Sequence, residues 1–264
     1  MHRMFSGIIT RHHFAPQPPC RFGEEWDPAD FVPMEGLLDR YGHEIAAVIL
    51  EPVFQGANAM RFYHPEYLRC LRKACSDRGI LLILDEVATG FGRLGRFFAL
   101  EYPEIVPDIM CVGKGLTGGA ITLAAVVASE KVAEVISAGT PGVFLHGPTF
   151  MASPMACAAG CASLELFREY DWAGCVRNIE RQLKQELQTL AELPNVADIR
   201  VLGAVGVAAL RKVPSPDTVQ RIVRETGVWL RPFGSWLYTM PPFITPENEI
   251  SRIVEAMRRI AEAC

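Results

Sequence analysis

ILLILDEV, residues 80–87, is an unbroken apolar run that closes on two acids, Asp85 and Glu86. IAAVILEP at 45–52 has the same form and closes on Glu51. Between them PEYLRCLRKACSDRG opens on Pro65 and stops at Gly79, the punctuation of a helix over 65–78. Two continuous apolar runs separated by a helix describe a βαβ unit whose strands are buried on both faces.

Working outward, DIMCVGKG (108–115) and ITLAAVVAS (121–129) supply two more strands. A short helix is expected at 33–43, and further helices at 130–138, 153–169 and 172–191. This half is α/β, with a mostly parallel sheet flanked by helices. Past residue 192 the texture changes. VADIRVLGAVGVAAL (196–210) reads as two strands around a glycine turn. A helix at 215–226, strands at 228–232 and 236–240, and a helix at 246–262 follow, which is the pattern of a smaller α+β domain. The expected division is a large domain over 1–170 and a small one over 171–264. Residues 1–30, with PQPP at 16–19, read as an extended surface segment.

Composition limits the function classes. The chain has 264 residues, half of them hydrophobic and 21% charged. That is enough apolar surface to offset the entropy of ordering a backbone, so a disordered chain is excluded. The net charge of −4 comes without a basic block, which argues against a nucleic-acid partner. No apolar run has the length of a membrane span, and the N-terminus has no secretory apolar core. The expectation is a cytoplasmic protein acting on small molecules. The eight cysteines, at 20, 70, 75, 111, 157, 161, 175 and 264, contain no CxxC pair and read as reduced thiols. The six histidines are dispersed, and no metal site is expected.

In open α/β sheets ligands sit at the carboxyl ends of the strands. Glu51, Asp85 and Glu86, and Lys114 lie there. Each alone has a bland reading, as a solvated acid or a loop lysine. Lys114, however, sits in CVGKGLTGG, where Gly113, Gly115, Gly118 and Gly119 remove side chains from around its amine. A lysine that carries a cofactor covalently needs that space. The Walker pattern GxxxxGK[ST] is absent, which disfavours a nucleotide phosphate loop. A carboxylate at the end of a buried strand can keep the pyridine nitrogen of pyridoxal 5'-phosphate (PLP) protonated. Asp85 fits that role, although an acid and a lysine pairing across a loop is an equal alternative on these residues alone. HGPTF (146–150) offers Thr149 and backbone groups before a helix, a candidate anion site. Arg231 stands among aromatics in GVWLRPFGSWLYTMPP (227–242), where it could grip a carboxylate bidentately or simply stack on a ring.

Taken in order, EP (51–52), DEVATGFGRLG (85–95), GKGLTGG (113–119) and HGPTFM (146–151) resemble the class III aminotransferases of PLP fold type I. The resemblance runs from residue 1 to the C-terminus. It implies PLP as cofactor, Lys114 as the cofactor-bearing lysine and proton shuttle, Asp85 as the partner of the pyridine nitrogen, and Val87 on the ring face. Pro148 and Thr149 would reach the PLP phosphate of a neighbouring subunit, implying a homodimer with shared active sites. Gly147, Arg231 and Tyr238 would contact substrate.

HGPTF and the stretch around Arg231 are similar to the branch that transfers an amino group from S-adenosylmethionine to 8-amino-7-oxononanoate in biotin biosynthesis. Another ω-amino substrate, or a catalytically silent chain needing a separate N-terminal piece, are the alternatives. MASPMAC (151–157) departs from the family's usual Gly-Asn-Pro-Leu. Family members also begin with a long segment that this chain lacks. It carries a Gly-Ser phosphate anchor and the aromatic stacked on the cofactor. The chain is therefore expected to be incomplete at its N-terminus and to bind PLP weakly on its own.

Overall fold

The computed structural model of the chain describes residues 7, 8, 10 and 12–264. The expected extended segment over 1–30 lies partly outside the described residues. Within them, 12–19 is coil that already touches the body of the chain at His13, bonded to Glu44 at 3.0 Å, and the first β-bridge joins Arg21 and Tyr63.

The deciding stretches form the expected strand–helix–strand unit, but without both strand faces buried: Ile49 is 62% exposed, and Leu81 and Ile83 are only half-buried. After helix α1 (Val32–Tyr41), strand β1 (Ala47–Leu50) leads into a short hairpin, β2 (Phe54–Gln55) and β3 (Arg61–Phe62). Helix α2 (Glu66–Arg78) then delivers β4 (Leu81–Asp85), which pairs with β1 in parallel from Ala47↔Leu81 to Leu50↔Leu84. Gly79 ends α2 in the left-handed conformation at φ 66°, which costs glycine little. Strand β5 (Ile109–Val112) pairs with β4 in parallel, Asp85 opposite Cys111.

Strand β6 (Ala125–Ala128) completes the order β1-β4-β5-β6 but runs antiparallel to β5. The sheet is therefore mixed, with two parallel pairings and one antiparallel. The reason is the connection. Only a 3-10 turn, Lys114–Thr117, lies between β5 and β6, and a parallel return needs a crossover element, usually a helix.

Helices α3 (Glu130–Ala138), α4 (Pro154–Glu169) and α5 (Trp172–Gln188) follow. The second sheet is antiparallel, in the order β7 (Val196–Leu202), β8 (Val205–Leu210), β9 (Trp236–Thr239). Between β8 and β9 lies α6 (Pro216–Thr226), capped by the Ser215 hydroxyl accepting from Thr218 N–H and closed at Gly227. Helix α7 (Glu247–Glu262) ends the chain's regular structure. The strand expected at 228–232 does not form. Pro232 has no N–H to give a ladder, and the segment is a loop that joins β9 only through Phe233 and Trp236.

One face of the second sheet packs on α5, α6 and α7 around Val176, Leu183, Ile222, Leu237 and Met257. The other face puts Leu202, Val205 and Val207 into the core that holds Leu82, Leu84, Phe54 and Tyr63. The two sheets thus share apolar packing. Gly203 is the tightest point of that junction. A Cβ there would stand 2.4 Å from the Leu94 carbonyl carbon and 2.6 Å from the Arg93 oxygen, and φ is +55°. Overlap with backbone plus a left-handed residue predicts that Gly203→Ala loses about 2–4 kcal/mol of stability. Urea denaturation measures this, and an unchanged midpoint would contradict the described docking.

Candidate active site

The carboxyl ends of β1, β4 and β5 open on a cavity of about 840 Å³, within the size range of small-molecule sites. Lys114, Val87, Arg231 and Tyr238 line it. Asp85 lies beneath, its Oδ1 accepting the Val87 N–H at 3.0 Å. Among the described residues, its Oδ2 has no hydrogen-bond partner. Lys114 follows β5 by two residues, has φ 43° and is exposed. The left-handed backbone at a non-glycine position is sparsely populated and recurs at functional sites.

The glycines around Lys114 have measurable reasons. A Cβ at Gly115 would meet the Phe91 Cβ at 3.0 Å, and Phe91 is itself left-handed at φ 59°. At Gly113 a Cβ would touch Val87 Cγ1 at 3.5 Å. Gly118 (φ 59°) and Gly119 (φ 86°) line the cavity or turn away from it with nothing but open space or Ser163 nearby. The amine is left unobstructed, and that room, with an acid at the strand end below, fits a ring-shaped cofactor bound through a lysine.

The three strand-end acids part company. Glu86 is fully buried and serves structure. It accepts from the Thr89 hydroxyl and from the N–H groups of Ala99 (3.1 Å) and Leu100 (2.8 Å), and burial pushes its carboxyl up from the usual range. Glu51 lines the cavity and accepts the Gly56 N–H at 2.9 Å. Burial raises its carboxyl. The charge of Asp85 raises it further, and that of Lys114 opposes this. These influences place Asp85 and Lys114 each within electrostatic reach of Glu51.

Gly147, Pro148 and Thr149 are exposed and form no part of the cavity wall. Arg231 is exposed at the cavity's edge, and among the described residues its guanidinium has no hydrogen bond or ion pair. An unpaired cation there is free for an anionic ligand.

Several cavity residues carry no signal in the sequence. Phe54, Gly56, Ala57 and Met60 come from the β2–β3 hairpin, Phe167 from α4, and Phe243 from the segment before α7. Arg93 donates to the carbonyls of Pro241 (2.7 Å) and Ala204 (3.2 Å) and lies over the Phe243 ring at 4.7 Å. Burial without a carboxylate lowers its guanidinium to about 10. Nothing in GFGRLG distinguishes it from a surface arginine. Among the described residues no helix is long and apolar enough to cross a membrane.

The adenosylmethionine-8-amino-7-oxononanoate aminotransferase of Mycobacterium leprae is 44% identical to this chain over 261 residues, covering 99% of it and 59% of the relative. The enzyme of that name from Buchnera aphidicola of Acyrthosiphon pisum is 40% identical, covering 97% of this chain and 60% of the relative. The crystal structure of adenosylmethionine-8-amino-7-oxononanoate aminotransferase from Methanocaldococcus jannaschii superposes with a TM-score of 0.89 at 30% identity, covering 99% of this chain and 62% of that one. An (S)-enantioselective omega-transaminase from Thermomicrobium roseum superposes with a TM-score of 0.80 at 29% identity, covering 88% of this chain and 54% of that one. The chain thus spans about 60% of the length of the curated relatives it matches. The model of the family "Aminotransferase class-III" matches residues 1–261, and with the lysine, the strand-end aspartate and the glycine-cleared cavity in place, the chain belongs to the class III aminotransferases, a family of PLP-dependent enzymes.

Proposed function

We propose that this cavity serves PLP-dependent transamination of 8-amino-7-oxononanoate to 7,8-diaminononanoate, with S-adenosylmethionine as amino donor. The observation that carries the reading is that Lys114 and Arg231 line one cavity, with Asp85 hydrogen-bonded to its lining residue Val87, in a chain whose relatives bear that enzyme's name. PLP, when bound, supplies an electron sink for the carbanion left at the substrate carbon.

The chain's own residues do the rest. Lys114 Nζ would remove the proton from the carbon bearing the donor's amino group and return it on the cofactor side, one base serving both positions. Asp85 would hold a proton on the ring nitrogen through its free Oδ2. Val87 would press on the ring face. Arg231 would grip the carboxylate of the amino-oxo acid, with Tyr238 beside it. Gly147, Pro148 and Thr149, exposed and outside the cavity of their own chain, would serve a neighbouring copy, Thr149 and Pro148 at the PLP phosphate and Gly147 at the substrate. That reading makes the active assembly a homodimer with shared sites. Residues 1–170 would form the cofactor-binding part and 171–264 the smaller part, in a cytoplasmic enzyme.

The test supplies PLP and 8-amino-7-oxononanoate and compares S-adenosylmethionine with lysine and other amines as donors. Turnover is expected with S-adenosylmethionine and with ping-pong kinetics, since the amino group is stored on the enzyme between half-reactions. Turnover with lysine or an ω-amine and none with S-adenosylmethionine would move the chain to another class III substrate, and no turnover with any donor would leave the catalytically silent chain that needs a separate N-terminal piece.

A further inference from the structure

The β2–β3 hairpin forms one wall of the cavity through Phe54, Gly56, Ala57 and Met60. Its turn carries two successive non-glycine residues in the left-handed region, Ala59 at φ 63° and Met60 at φ 50°. Such residues persist only where their surroundings hold them. Two polar groups from outside the hairpin do so. On the cavity side the Glu51 carboxylate accepts the Gly56 N–H at 2.9 Å. Arg200, from β7 of the second sheet and outside the cavity lining, donates through Nη1 to the Ala59 carbonyl at 2.6 Å and reaches the Met60 carbonyl at 3.4 Å.

Arg200 is itself aimed. Its Nε donates to Asp198 Oδ2 at 2.6 Å, two residues back along the same strand, and the pair is about four-fifths buried, with side-chain exposures of 19% and 22%. The second Asp198 oxygen accepts from Arg21 Nη1 at 3.2 Å. The remaining nearby cation, Arg61, is occupied by Gln17 and the Pro19 carbonyl. Arg200 is therefore the group through which the second sheet grips the turn's own carbonyls.

We propose that Arg200 is a positioning residue for the cavity. Oriented by Asp198, it clamps the left-handed turn Ala59–Met60 and so fixes the wall Phe54–Met60 against Lys114. What the wall shapes follows the transamination reading, and the substrate-side room is the quantity at stake. The clamp itself does not depend on that reading. It makes the second sheet a determinant of how much space a substrate has, although none of that sheet's charged groups enters the cavity.

The experiment is hydrogen–deuterium exchange on the full chain, without cofactor, comparing wild type with Arg200→Met, Arg200→Lys and Asp198→Asn. The N–H groups of Gly56 and Asn58 are bonded to Glu51 and to the Gln55 carbonyl, so their exchange reports opening of the hairpin. Arg200→Met should speed exchange at both by about tenfold or more while α7 stays as protected as in wild type. Arg200→Lys keeps a cation beside Asp198 but gives up the planar fork that serves Asp198 and Ala59 together. It should restore the melting midpoint yet leave the hairpin exchanging fast. Asp198→Asn should give an intermediate acceleration.

Unchanged exchange at Gly56 and Asn58 in Arg200→Met would overturn the proposal. So would equal acceleration in α7, or full recovery of hairpin protection in Arg200→Lys. PLP trapping on Lys114 is measured separately on the same proteins and should not change. Failure of the wild-type chain to take up PLP favours the catalytically silent alternative and leaves the exchange result standing.

Discussion

Lys114→Ala abolishes the covalent attachment of PLP by borohydride reduction and lowers transamination at least about 10³-fold, the scale of a general acid–base group that is also the covalent anchor. The chain has five lysines, and the structure separates them. Lys73 and Lys184 are engaged with Asp77 and Glu180, one helical turn away on their own helices. Lys131 and Lys212 lie on the exposed surface. Only Lys114 lines the cavity. In wild type, the pyridoxyl mass added by borohydride should therefore fall on the peptide containing residue 114 and on no other.

Lys114→Arg gives the sharper comparison. It preserves the positive charge felt by Glu51, but a guanidinium does not surrender its proton at neutral pH. It should bind PLP weakly and never trap it. Trapping at another lysine, or turnover in Lys114→Ala within tenfold of wild type, would remove Lys114 from the reaction.

Much of this arrangement is legible in the sequence because continuous apolar runs separated by a helix mark parallel strands, although Ile49 in β1 and all of β6 stand more open than such runs imply. The runs 45–52 and 80–87 announce β1 and β4, and the carboxyl ends of such strands are where ligands go. Direction is less legible. VVA in β6 looks like VIL in β1, and it is the short connection across Lys114–Thr117 that turns β6 antiparallel. The segment 228–232 has a strand's apolar residues, but Pro232 and the close of α6 at Gly227 leave it as a loop.

Neighbouring acids are the hardest case. Asp85 and Glu86 look equivalent in DEV, yet Glu86 is consumed by the backbone of Ala99 and Leu100 while Asp85 keeps an oxygen free. Those partners lie more than a dozen residues ahead in the chain, beyond any local pattern. The hairpin wall and Arg93 are invisible for the same reason, since their meaning arises from distant contacts, with Arg200 in β7, the Ala204 carbonyl in the β7–β8 turn and the Pro241 carbonyl just past β9.

Asp85→Asn should separate attachment from chemistry. The substitution is isosteric. Its amide oxygen can still accept the Val87 N–H that Asp85 Oδ1 accepts at 3.0 Å, so the end of β4 keeps its geometry and the fold loses little. The amine of Lys114 is untouched, and borohydride should still fix PLP on it. What disappears is the negative charge at the free oxygen, and with it the means of holding a proton on the ring nitrogen. The carbanion at the substrate carbon then loses most of its stabilisation, and transamination should fall by about 10³-fold or more, the loss expected when a preorganised charge is removed from a low-dielectric site.

A second readout lies on Glu51. The Asp85 charge helps to raise the Glu51 carboxyl, after burial, and the charge of Lys114 opposes it. Removing the Asp85 charge should therefore let Glu51 ionise at lower pH, visible by carbon-13 NMR of the labelled carboxyl. A chain in which Asp85→Asn turns over within tenfold of wild type, with Glu51 titrating as before, would place Asp85 away from the ring nitrogen and return it to the role of a strand-end acid paired across a loop.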